Sequence, residues 1–298
     1  MFLAEYVPID HAATLALLGD LMVGRGVDPT PASLGYLAPN LKSADLSLAN
    51  LESPLTSSLD SPTAKGRYNL CASASRTALF PLWGFDMLTL ANNHRYDCGD
   101  DRVGDTIRAV SGAGLLPIGP GPVPVYREVN GLKLAFAAFD DVLSPIDAAA
   151  AAQLIRESRA RGAVVIVSVH WGMEYQEGAT ERQKYLARQF AGAGAALIVG
   201  THPHVLQRAE WIQSPSSAAG VQSGPLAGTL VLYSLGNALF DQGSLADTRR
   251  SALVVVTLDE EGVKSVRVVP FALDTVESRV LAPDAETAKI IRDQLNLP

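Results

Sequence analysis

Short apolar runs punctuate the chain: TLALLG at 14–19, MLTLA at 87–91, LKLAFAAF at 132–139, AVVIVSV at 163–169, ALIVG at 196–200, TLVLYS at 229–234, ALVVVTL at 252–258 and VKSVRVV at 263–269. Their lengths and bounding turn residues predict buried strands. Between them, helical spacing takes over. DDRVGDTIRAVSGAG predicts a helix with Val103, Ile107 and Val110 on one face and Gly112 near its end. SPIDAAAAAQLIRESRARG predicts another, rich in alanine with arginines in its last turn, and TERQKYLARQFAGAG a third, capped by Thr180 with Glu181 in its first turn. Strand and helix alternation predicts an α/β layered fold. The last two runs, joined through DEEG at 259–262, predict a hairpin, so part of the sheet is antiparallel.

Composition narrows the function. The 298 residues show no composition break, which predicts one domain over 1–298. A net charge of -7 argues against a general nucleic-acid partner, which needs a basic surface to displace phosphate counterions. The N-terminal segment lacks a basic region, and Glu5, Asp10 and Asp20 interrupt its apolar stretch. It reads as neither signal peptide nor membrane span, and the expected location is cytoplasmic. Cys71 and Cys98 allow at most one disulfide. The expectation is two unpaired thiols in a reducing cytosol.

Polar residues gather where the runs end. Asp20 follows the first run, NNH (92–94) the second, His170 closes AVVIVSVH, and His202 and His204 follow ALIVG. Four of the five histidines therefore sit on the rim where ligand and catalytic groups collect in layered α/β folds. Imidazoles with carboxylates and an asparagine oxygen predict a divalent metal site for one or two ions, with manganese, zinc, iron and calcium all open. In GTHPHVLQ, Pro203 restricts itself and His202, and an extended backbone would put His202 and His204 on one face.

The segments LLGDLMVGRGV, ANLESPLT, LANNHRYDCG, VSVHWGMEY, GTHPHVLQ and YSLGNALFDQ, spanning about 14–242, resemble the CapA-like, poly-γ-glutamate biosynthesis protein family of the calcineurin-like metallophosphoesterase superfamily. The resemblance implies a layered α/β/β/α sandwich of the metallophosphoesterase type with mixed sheets. It also implies site roles. Asp20 matches the aspartate of the first metal motif, and Met22 stands where that motif carries a histidine, leaving the first ion a ligand short. Glu52 replaces the bridging aspartate, with Asn50 as an alternative. Asn93 matches the asparagine on the second ion, and His94 the catalytic acid beside it. His170 and His202 complete the second ion, and His204 joins Asp20 and Glu52 on the first.

Other residues stay open between roles. Arg25 reads as a bidentate contact for phosphate or carboxylate, or as a solvated loop arginine. Lys65 and Arg67 in TAKGRYN read as a cover for an anionic substrate, or as plain surface loop. Glu174 and Tyr175 are placed to orient His170 or touch substrate. Asp97 braces its loop, and Asn237 is a turn-former or a substrate contact. QSPSSAAGVQSGPLAG (213–228) predicts a loop beside the HPH segment, a lid or a variable stretch. The expected function is metal-dependent hydrolysis of a phosphoester or of a glutamyl or peptide amide. The alternatives are epimerisation of a peptide residue by α-proton removal, and non-catalytic binding of an anionic polymer. The substrate is anionic or a peptide, and the oligomeric state is open.

Overall fold

The computed structural model describes residues 11–58, 68–121, 123–213 and 228–297. Lys65, Arg67 and nearly all of the 213–228 loop lie outside the described residues. Every apolar run named above contains a strand, and each strand divides its side chains between two layers. In Ala13–Leu21, Leu15 and Leu17 enter a core shared by the two main sheets, while Ala16 and Leu18 face a second core with Leu41, Phe80 and Val110 from the helices outside. In Val164–His170, Val164 and Ile166 enter the shared core. Val165, Val167 and Val169 face a third, under helices Ala148–Ala160 and Glu181–Ala193. The layers therefore stack α/β/β/α.

One main sheet has eight strands, with Ala13–Leu21 parallel to Leu46–Leu51 on one side and antiparallel to Arg250–Asp259 on the other. The expected hairpin is Arg250–Asp259 with Gly262–Asp274. The second main sheet has six strands, four of them parallel at its centre: Leu132–Asp140, Val164–His170, Ala195–Thr201 and Thr229–Leu232. Both sheets are mixed.

Three local differences from the sequence reading have physical causes. Leu46–Leu51 is a strand although Ser47 and Asn50 break its apolar run; both are buried because Ser47 bonds Asp86 and Asn50 bonds Asp20. Helix Ala148–Ala160 begins after Asp147, whose carboxylate accepts from the Ala149 and Ala150 amides, rather than near Ser144. On helix Val103–Gly112 the buried positions are Thr106 and Val110, and Ile107 is exposed. Thr106 turns inward because its hydroxyl accepts the Leu55 amide at 2.8 Å.

Cys71 and Cys98 form a disulfide, which corrects the expectation of unpaired thiols. Asp97 draws the two loops together: its backbone oxygen accepts from Asn69 Nδ2 and its carboxylate from the Leu70 amide, both at 2.7 Å. The cysteine Cα atoms end 5.0 Å apart, closing a span of 27 residues. A Cys71→Ser/Cys98→Ser variant is expected to lose about 2–4 kcal/mol of stability through the freed denatured chain. Denaturant melts of wild type and variant measure it; identical midpoints would show that the pair contributes nothing.

Candidate metal centre

The site lies where strands of both main sheets end. Asp20 is the penultimate residue of Ala13–Leu21, not a residue beyond it, and is fully buried. Its Oδ1 accepts from Asn50 Nδ2 at 2.8 Å and its Oδ2 from the His202 amide at 3.0 Å. Gly19 makes room for this packing: a Cβ there would lie 1.8 Å from the Gly236 carbonyl oxygen. That close approach lets Asn237–Leu239 run parallel to the end of the Asp20 strand, with Asn237 opposite Asp20. Met22 is buried in the outer core, away from any ligand role.

Asn237 decides the tautomer of His204. Its Nδ2 donates to the Thr248 carbonyl at 3.0 Å and to Gln242 Oε1 at 3.1 Å, which fixes its oxygen toward His204. His204 Nδ1 therefore carries the proton and donates to Asn237 Oδ1 at 2.9 Å. The lone pair on Nε2 faces Glu52 Oε1 at 3.6 Å. Both Glu52 oxygens are buried without a hydrogen-bond partner. Two electron-rich atoms facing each other in a buried pocket form an unfavourable pair that a cation between them would relieve. Asn237, open in the sequence between turn and substrate contact, is buried and positions His204.

Burial dominates the titration of these groups. It pushes the Asp20 carboxyl up to about 6, against the hydrogen bonds from Asn50 and His202. Burial, and then the charge of Asp20, pushes Glu52 well above the carboxylate range. Burial pulls His204 down to about 3 and His202 to about 4. His170 is held well below its ordinary value by burial and the neighbouring His202. Neutral imidazoles are the form that ligates a metal.

The HPH segment is not extended, which corrects the sequence expectation. His202 has φ 98° and His204 φ 59°, unusual for residues with side chains. The chain bends there because the His202 amide is held on Asp20, and the two rings still lie 5.9 Å apart. His202 Nδ1 is buried without a partner. His170 Nε2 donates to Asn93 Oδ1 at 2.8 Å, and Thr201 Oγ1 donates to His170 Nδ1 at 3.0 Å. Ligand atoms of Asp20, Glu52 and His204 all lie within 4.8 Å of one another, as do those of Glu174, His202 and His204. Orphaned Glu52 and His202 atoms, a neutral His204 and this spacing fit a divalent ion.

His94 stands at the edge of this cluster. Its Nδ1 donates to Asp97 Oδ2 at 2.8 Å, and its Nε2 lies 3.8 Å from Glu52 Oε1. Asp97, read as a loop brace, is that and also the partner that fixes the His94 ring; its i,i+3 spacing was the available signal. A cleft of about 650 Å³ opens here, lined by Asn93, His94, Glu174, Tyr175, His204 and Phe240 among others. Arg25 lines it too, but its guanidinium is paired with Asp241 and stacked 5.5 Å over Phe240. Tyr175 lies on the wall, its hydroxyl accepting from Gln242 Nε2 at 3.1 Å. Asn50, read as the alternative to Glu52, is buried and engaged elsewhere: its oxygen accepts from Asn92 Nδ2 at 3.1 Å while its amide serves Asp20.

Residues 14–242 match the family model described as "Bacterial capsule synthesis protein PGA_cap". The chain is 29% identical to the "PGA biosynthesis protein CapA" of Bacillus subtilis (strain 168), over 96% of this chain and 78% of that protein. It is 31% identical to the "Capsule biosynthesis protein CapA" of Bacillus anthracis, over 88% of this chain and 69% of that protein. Its fold is similar to a hypothetical protein from Thermus thermophilus, with a TM-score of 0.57, 18% identity and coverage of 87% of this chain and 99% of that one.

Proposed function

The chain belongs to the family of bacterial capsule synthesis proteins designated PGA_cap, and from that premise we propose that it is a metal-dependent hydrolase of a glutamyl or peptide amide. One observation carries the reading: the buried, unpartnered Glu52 carboxyl facing the lone pair of His204, a residue that lines the cleft together with His94. Asp20, Glu52 and His204 would hold one ion, and His202 would contribute to a neighbouring position, joined by Asn93 and His170 once the His170 proton moves from Nε2 to Nδ1. A divalent ion there supplies Lewis acidity toward a carbonyl or phosphoryl oxygen.

The protein's own groups do the rest. Asp97 holds the Nδ1 proton of His94, so the free Nε2 facing the cleft takes up the proton released by the attacking water and delivers it to the departing amine. Charge favours an amide over a phosphoester. A phosphate would bring negative charge against Asp20, Glu52 and Glu174, and Arg25, the only Lys or Arg among the cleft-lining residues described, is already paired with Asp241. The disulfide supports an oxidising compartment rather than the cytoplasm expected from the sequence. Among the described residues no helix is long and apolar enough to cross a membrane.

Elemental analysis after reconstitution with manganese, zinc, iron or calcium tests the reading, with a His202→Ala/His204→Ala variant beside the wild type. One or two ions per chain are expected in the wild type and fewer in the variant. No ion in either protein would overturn it. A γ-glutamyl peptide incubated in heavy water then separates reactions: cleavage is expected, and deuterium uptake without cleavage would replace hydrolysis by epimerisation.

A further inference from the structure

Glu174 stands apart from the buried ligands in sequence and in exposure. It lies on the loop after the His170 strand and is exposed to the cleft, yet its carboxylate lies within 4.8 Å of ligand nitrogens of His202 and His204. The loop is held there by its neighbours. Tyr175 adopts φ 64°, a conformation that residues with side chains rarely take, and its amide donates to the Pro203 carbonyl at 2.8 Å. Gln207 Nε2 donates to the Gln176 carbonyl at 2.7 Å. The first bond ties the loop to the HPH segment, the second to the Leu206–Gln207 strand that follows it.

The groups facing Glu174 point to a cation. His202 Nδ1 is buried and unpartnered, and the charge of Glu174 reaches Glu52, whose oxygens are also unpartnered. His204 has only Nε2 to offer, since Nδ1 is committed to Asn237. His204 belongs to both the group with Asp20 and Glu52 and the group with Glu174 and His202. Its single lone pair serves one ion, so the carboxylates of both groups meet at the ion that His204 binds.

We propose that Glu174 is the cleft-side ligand of the His204 ion, alongside the buried carboxyls of Asp20 and Glu52. This inference rests on the metal-site reading above and goes beyond it by assigning an exposed carboxylate to the ion. Being exposed, Glu174 is the ligand on the side from which substrate arrives.

Calorimetric titration of the metal-stripped full chain with Mn²⁺ tests it, using wild type, Glu174→Gln and Glu177→Gln. Glu177 is an exposed carboxylate of the same loop and controls for loop charge. The expected result is a rise in Kd of about 10- to 100-fold for Glu174→Gln and no change for Glu177→Gln. Wild-type affinity in Glu174→Gln overturns the assignment and leaves the metal site standing. Equal weakening in both variants also overturns it, because a loop-charge effect then suffices. No Mn²⁺ binding by the wild type brings down the metal reading itself, and the assignment with it.

Discussion

Replacing Glu52 by Gln is expected to weaken Mn²⁺ binding by about 100-fold or more and to stabilise the ion-free protein toward alkaline pH. The two effects share one cause. A buried carboxyl with no hydrogen-bond partner is costly to ionise, and an ion is the partner that offsets that cost. Burial and the charge of Asp20 raise the Glu52 value well above 4.5 in the folded state. A carboxyl raised in this way contributes stability that is fully present below its unfolded value and is lost as pH rises through the folded one. Asp20 follows the same sign between 3.8 and about 6. The ion-free wild type should therefore lose stability from these two groups as pH rises, and Glu52→Gln should lose less because its amide has no proton to give up.

Ion binding runs the other way. It requires both carboxyls deprotonated, so affinity should fall as pH drops through the raised range of Glu52 and through about 6, where Asp20 takes up its proton. The histidines do not set that limit, since His204 and His202 stay neutral down to about 3 and about 4. Mn²⁺ titrations and ion-free melts between about pH 5 and about pH 8, a window on either side of the ordinary imidazole value, measure both effects. Wild-type affinity in the variant, or an unchanged pH slope of its melts, would remove Glu52 from the role.

The sequence made the strands legible because buried strands here are nearly uninterrupted apolar runs, as in Val164–His170. It hid Leu46–Leu51 because a buried polar residue looks like a surface one until its partner is known; Asn50 is buried only because Asp20 is there to receive its amide. The same limit applies to the site. Residue types at strand ends marked Asp20, Asn93, His94, His170, His202 and His204, and motif likeness added Glu52. What it could not mark was direction. Asn237 and Asn50 proved to be braces, Arg25 proved to be paired with a residue 216 positions away, and Glu174 proved to face the histidines. Each of these depends on side chains meeting from distant strands. The bend at His202 and His204 was hidden for a related reason: proline predicts local stiffness, while the turn is set by the bond from the His202 amide to Asp20.

Replacing His94 by Ala is expected to cut turnover by about 100- to 10,000-fold while leaving the ion content unchanged. The geometry separates the two roles. Ligand atoms gather around Glu52 and His204, whereas His94 Nε2 stands 3.8 Å from Glu52 and faces the cleft. Its Nδ1 is occupied by Asp97, which is itself pinned by the Leu70 amide and tied covalently to that loop through Cys98 and Cys71. Asp97→Asn keeps the shape and an oxygen that can accept from His94 but removes the charge, so a smaller loss, about 10-fold, is expected there. The comparison is made on whichever of a γ-glutamyl peptide or an activated aryl phosphoester the wild type turns over, with ions counted in each protein. Turnover preserved in His94→Ala would take proton delivery away from this residue. Turnover and ion lost together would make His94 a ligand, and the acid would then have to come from elsewhere on the cleft wall, where Tyr175, its hydroxyl pushed up to about 12 chiefly by burial, stands beside His204.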